Sequence, residues 1–146
     1  MVGIVMDFQE RQRHKQLDFE RRVLQDLSLE KIEASIHNRF DHYMALVPSS
    51  AQTARDMCAE YALEAFLLGS SMGRFGFYGE DTENVFQRSV LPFEALHGDF
   101  FDFWLFWSAS DPAAATGLQE ACERYLYTWW KEGFEASLRR WRMKLH

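Results

Sequence analysis

Glu64-Ala-Phe-Leu-Leu-Gly69-Ser-Ser-Met-Gly73-Arg74-Phe75-Gly76-Phe77-Tyr78-Gly79-Glu80 is the stretch whose reading decides the fold. An apolar helix runs into four glycines interleaved with aromatic rings. Glycine has no Cβ, so it tolerates positive φ and lets a neighbouring element approach closely while the aromatics are buried on either side. The segment therefore predicts a hinge that allows the central helix to pack against a ring-rich one. Its spacing matches neither a dinucleotide fingerprint nor a phosphate loop, and it follows a helix rather than a strand, which argues against a phosphate cradle.

Upstream, Ala54, Met57, Cys58, Tyr61, Ala62, Ala65 and Leu68 recur at helical spacing, and Leu63, Phe66 and Leu67 broaden that stripe, as expected of a central helix. Ser49-x-x-Gln52 has the spacing of a capping box to open it. Before it, Ser28 can cap a helix with the stripe Leu29, Ile32, Ile36, Phe40, Tyr43 and Val47, which Pro48 stops. Residues 7–27 read as a polar outer helix with Asp7/Arg11 and Asp18/Arg22 four apart. Downstream, Glu80 to Glu83 supply caps for a short helix to about Ser89, and Pro92 suits the first turn of a helix running to Trp107. The last helix starts at Asp111-Pro112 or at Thr116-x-x-Gln119, and its stripe is Leu118, Cys122, Leu126, Trp130, Phe134, Leu138, Trp141 and Leu145. Nothing alternates with period two between turn signals. The expectation is an all-α, single-domain bundle of about five to six helices over residues 1–146.

Cys58 and Cys122 lie far apart without CxxC spacing, which fits reduced core thiols in a reducing cytoplasm. Met1 to Met6 are mostly apolar but have no basic region before them and are followed by Asp7, unlike a signal peptide. The most apolar run, Phe100 to Trp107, contains Asp102 and falls short of the roughly 20 residues a bilayer requires, so no membrane insertion is expected. Net charge is −6, divided as +1 over residues 1–25, −11 over 26–123 and +4 over 124–146. An acidic centre repels phosphate backbones and excludes general nucleic-acid binding. The basic end suits acidic neighbours or a second copy of the chain.

Several groups could carry chemistry. Asp56, Glu60 and Glu64 stack along one helix edge, and the reading is a solvated edge, with a buried Glu64–Arg74 pair fixing the hinge as the alternative. Glu94-x-x-His97 has the spacing by which bundles present ligands to a di-metal centre, but the second copy that such a centre needs is missing. A mononuclear metal site from Glu60, Glu64, Glu94 and His97 is the enzyme alternative. Glu33 and His37 are four apart. Neither cysteine has a histidine nearby in sequence and no nucleophile elbow occurs, so no catalytic residue is assigned. Of the 146 residues, 23 are aromatic, many on two segments, with Phe101 and Phe106 unable to share a face with Phe103, Trp104 and Trp107. Rings on more than one face imply that both faces are covered, by other helices or by a partner chain. Glu64, Arg74, Tyr78, Trp104 and Trp130 are the structural or ligand-binding candidates. The basic tail Arg139-Arg140-x-Arg142-x-Lys144 complements a helix dipole.

Glu64-Ala-Phe-Leu-Leu-Gly, Arg74-Phe-Gly-Phe-Tyr-Gly-Glu80, Phe100-Phe101-Asp102 and Trp129-Trp130-Lys-x-Gly-Phe134 resemble a small Bacillus-type family of uncharacterised proteins. It is the family that includes YbaK, a protein distinct from the tRNA-editing deacylase of the same name. The resemblance covers most of the chain and implies a cytoplasmic protein of spore-forming Gram-positive bacteria, with no catalytic role to carry over. Together these readings favour a non-enzymatic interaction or regulatory protein that needs no cofactor and forms a homo-oligomer, a dimer, with a protein partner as a further option. A metal- or small-molecule-dependent enzyme is the rival.

Overall fold

The computed structural model describes residues 8–45, 47–108 and 112–144, and within them the chain forms helices and no strand. In order these are α1 (Phe8–Leu24), α2 (Leu29–Met44), a single 3-10 turn (Pro48–Ser50), α3 (Ala51–Ser70), α4 (Gly73–Phe77), α5 (Thr82–Arg88), α6 (Val90–Ser108) and α7 (Pro112–Arg142). The all-α class holds. The helix beyond the expected number is α4, because the glycine segment itself coils for one turn before it reverses. Among the described residues no helix is long and apolar enough to cross a membrane.

Capping side chains set two of the starts. Ser28 is extended and its Oγ accepts from the Lys31 N–H at 3.3 Å, while Asp81 Oδ1 accepts from the Asn84 N–H at 2.8 Å. Each satisfies an amide that the first helical turn leaves without a carbonyl. The Ser49–Gln52 capping box does not form. Pro48 opens a tighter turn in which the Ser50 N–H donates to the Val47 carbonyl, so the cap position moves to Ser50, and the Gln52 amide donates to Asp56 instead. α7 runs through Thr116 from Pro112, so the earlier of the two starts is used. Asp111, its expected cap, and Leu145, the end of its stripe, lie outside the described residues. The α2 stripe also shifts: Ile32, Ile36, Phe40 and Met44 are buried, whereas Leu29 is 72% exposed. At the first helical position its side chain lies beyond the edge of the core.

α3 and α7 form the axis of the molecule, and two glycines set how closely they cross. A Cβ on Gly69 would collide with the Trp130 carbonyl oxygen, and a Cβ on Gly133 with the Phe66 carbonyl oxygen. The relation is reciprocal, one glycine from each helix facing the other's backbone. The crossing is closed by Ser70, whose buried Oγ donates to the Gly133 carbonyl at 3.1 Å. α4 then lies on the continuation of α7, with Gly73 against Ser137 and Gly76 against the Phe134 ring and Leu138. Close approach is thus the reason for glycine at 69, 73 and 76. Positive φ is the reason at Gly79, where φ is 106°. Arg88 secures the returning chain: its guanidinium bonds both carboxylate oxygens of Glu80 and lies 4.1 Å from the centre of the Phe75 ring.

The core on either side of this axis is built from rings. Phe40 of α2 packs face to face on Trp104 at 5.2 Å and edge-on to Tyr125 at 5.0 Å and Phe100 at 5.7 Å. Trp130 stacks on Phe134 at 5.4 Å and takes the edge of Phe86 at 5.0 Å, and its N–H donates to the buried Ser89 hydroxyl at 3.2 Å. Helices of the same chain cover one side of α6 and leave part of it exposed. Phe100 and Trp104 are fully buried and Phe101 half-buried, but Phe106 is 78% exposed. α1 is the polar outer helix that its sequence suggests, with Val23 buried and Arg140 of α7 clamping its end by bonds to Asp26 and to the Arg22 carbonyl.

Candidate functional site

Potentially reactive groups at the centre of the fold are held neutral. Cys58, Cys122 and Tyr125 are fully buried and adjacent, and the Tyr125 hydroxyl donates to the Cys58 carbonyl at 2.7 Å. Burial pushes the Cys58 thiol up from 9.0 to about 12, opposed weakly by the Trp104 N–H facing the sulfur. The Trp104 Nε1 atom reaches no acceptor in hydrogen-bonding geometry, so the thiol is only a soft, distant partner. Burial likewise raises the Cys122 thiol and the Tyr125 phenol, with Cys58 adding to both. A protonated thiol is a poor nucleophile and a poor metal ligand, and these groups act as packing.

The sequence-derived candidates divide into core and surface. Trp104 and Trp130 are core rings. Glu64 and Arg74 are both exposed and no ion pair joins them; the Arg74 guanidinium lies 4.8 Å from the centre of the Phe75 ring instead. Tyr78 is 75% exposed. Glu60 and Glu64 of α3 share Tyr61 as a neighbour with Asp99 and Asp102 of α6. All four carboxylates, together with partial burial, raise the pKa of the Tyr61 hydroxyl, burial contributing most and Asp99 next. His97 faces another way, its Nε2 donating to the Gln119 carbonyl of α7 at 3.0 Å. Asp99 and Asp102, two and five residues on, lie on the opposite side of α6 from His97. Glu94 is exposed. Among the described residues no three His, Cys, Asp or Glu side chains are placed to hold a metal ion.

Several clefts open beside α2. One, of about 510 Å³, lies against α3 and is lined by Glu33, His37, Asp41, Gln52, Arg55 and Asp56, with His37 paired to Asp41. Another, of about 400 Å³, has Phe86, Phe93 and Tyr127 as its floor and Arg39, Glu123 and Arg124 at its rim. Both carry mixed charge on exposed side chains.

The surface also carries two groups of exposed rings. At the end of α6, Leu105, Phe106 and Trp107 are exposed, the two rings meeting edge to face at 5.5 Å. At the end of α4, Phe77 and Tyr78 lie 5.6 Å and 6.3 Å from the half-buried Trp141 of α7. Sequence reasoning named Tyr78 and Trp141 separately and missed their meeting. The signal was present: Gly73 and Gly76 require α4 to lie on α7, and that contact brings residues 77 and 78 to the last turn of α7.

Comparison with known proteins agrees with this outcome. The chain is 27% identical over 132 residues to the "Uncharacterized protein YbaK" of Bacillus subtilis (strain 168), covering 89% of this chain and 90% of that one. No solved structure matches it. Residues 2–146 match the family described as "Protein of unknown function (DUF2521)". An all-helical chain in which glycines join α3, α4 and α7, matched over nearly its whole length, belongs to the DUF2521 family.

Proposed function

We propose that the chain is a non-enzymatic cytoplasmic interaction protein that works as a homodimer. The observation that carries this reading is the exposed Leu105-Phe106-Trp107 end of α6, with Phe106 78% exposed. Adjacent exposed rings are costly in water and gain stability only against another apolar surface. A second copy offers that surface by symmetry, since an isologous contact requires only one self-complementary patch. The free thiols Cys58 and Cys122 suit a reducing compartment. The groups best suited to acid–base or nucleophilic work in the interior are held neutral, which turns attention to the surface.

Light scattering at micromolar concentration tests the reading. The expected mass is above that of one 17.2 kDa chain, and Phe106→Glu is expected to return it to the monomer value. A monomeric parent protein would overturn the proposal.

A further inference from the structure

We propose that the end of the molecule formed by α4 and the last turn of α7 docks on an anionic lipid surface. Arg74 lies one turn before Phe77 and Tyr78, so the three share a face of α4. Phe77 and Tyr78 pack beside Trp141, and Met143 follows with 58% of its surface exposed. Arg74 of α4 and Arg139, Arg142 and Lys144 near the end of α7 are all exposed. Other cations in this part of the fold are committed: Arg140 to Asp26, Arg88 to Glu80 and Lys131 to Glu135. Arg74, Arg139, Arg142 and Lys144 have no carboxylate partner among the described residues. Two segments far apart in sequence thus bring exposed rings and uncompensated positive charge to one end of the molecule.

Three arguments favour a lipid surface over an acidic protein. Interfacial rings with a surround of Arg and Lys are what binding in the headgroup layer requires, the rings entering the polar–apolar boundary and the cations meeting lipid phosphates. A ring presents about 150–250 Å² when fully exposed, and these are partly covered, so the apolar area is a few hundred Å². A bilayer supplements so small an apolar area by drawing the cations through its continuous surface charge. Finally, residues 136–146 carry four cations and no acidic side chain in a chain of net charge −6, so an anionic surface would attract this end of α7 and repel much of the rest of the molecule, favouring one orientation. The chain would lie on the surface without spanning it.

Co-sedimentation of the full chain with vesicles tests this. Phosphatidylcholine vesicles containing phosphatidylglycerol should bind at least about tenfold more protein than phosphatidylcholine alone. The bound fraction should fall severalfold between about 0.1 M and about 0.5 M salt, as the screening length shrinks from about 10 Å to about 4 Å. Arg142→Glu with Lys144→Glu, both at exposed positions, should abolish binding, and Phe77→Ala with Tyr78→Ala should lower it by about tenfold. Leu91→Ala, at an exposed apolar position of α6 outside both groups of rings, should leave it unchanged. Equal binding to both kinds of vesicle, insensitivity to the charge reversals, or binding to soluble polyglutamate without binding to anionic vesicles would overturn the proposal.

Discussion

At the scale of single residues, the interior is decided by groups that stay uncharged. The folded state holds the protons of Cys58 and Cys122 more tightly than the unfolded chain does, from an ordinary value of 9.0. Their contribution is therefore complete below pH 9.0 and is lost as pH rises toward the folded value, about 12 for Cys58. One unit above the unfolded value each thiol costs about 1.4 kcal/mol, so urea unfolding at pH 10 should show a loss of roughly 2–3 kcal/mol relative to pH 8. Replacing both cysteines by alanine should flatten that slope, even as the cavities lower stability at every pH. Ser89→Ala removes the acceptor of a fully buried indole N–H and should cost about 1–3 kcal/mol in the same assay. The core role of the cysteines was legible in their spacing and helical register. The Ser89 bond was not, because α5 and α7 are distant in sequence and no local pattern pairs a serine with a particular tryptophan.

At the scale of elements, the glycines separate by what lies opposite them. Gly69→Ala and Gly133→Ala each drive a methyl group into a carbonyl of the facing helix, and each should lower unfolding free energy by about 3 kcal/mol or more. Valine at Gly73 or Gly76 should act in the same direction against Ser137 or Phe134. Gly98 meets nothing within 4 Å and sits inside α6, so Gly98→Ala should raise stability by about 0.5–1 kcal/mol. Thermal unfolding of the set distinguishes close approach from a general dislike of substitution. The run from Gly69 to Gly79 showed that some tight contact exists, but not which partner makes it. Gly133 looks in sequence like an ordinary weak point of a long helix, and only the crossing with α3 reveals why it must be small. In α6, Trp104 and Phe106 are two residues apart and so on opposite sides of the helix, one fully buried and the other 78% exposed; the sequence separated the two faces, but not which of them the other helices cover.

At the scale of the whole molecule, one buried cluster draws on α1, α2, α3, α5, α6 and α7, with Phe75 of α4 packed against it, so chemical denaturation followed by far-UV circular dichroism and by tryptophan fluorescence should give coincident transitions for residues 1–146. Distinct midpoints would indicate more than one folding unit. The fold class was readable from periodicity alone, because long apolar stripes at helical spacing have few other ways to be buried. The candidate surfaces were not, since they consist of whatever the packing leaves outside. α1 is attached unevenly. Val23 is its one fully covered side chain among the described residues, and its far end is held by Arg140 reaching Asp26 and the Arg22 carbonyl. Such a helix is latched to the body rather than embedded in it. Peeling it away gives up the burial of Val23, part of that of Phe19 and a solvent-accessible latch, far less than global unfolding, so its amides will trade hydrogen for deuterium well ahead of those in α3 and α7.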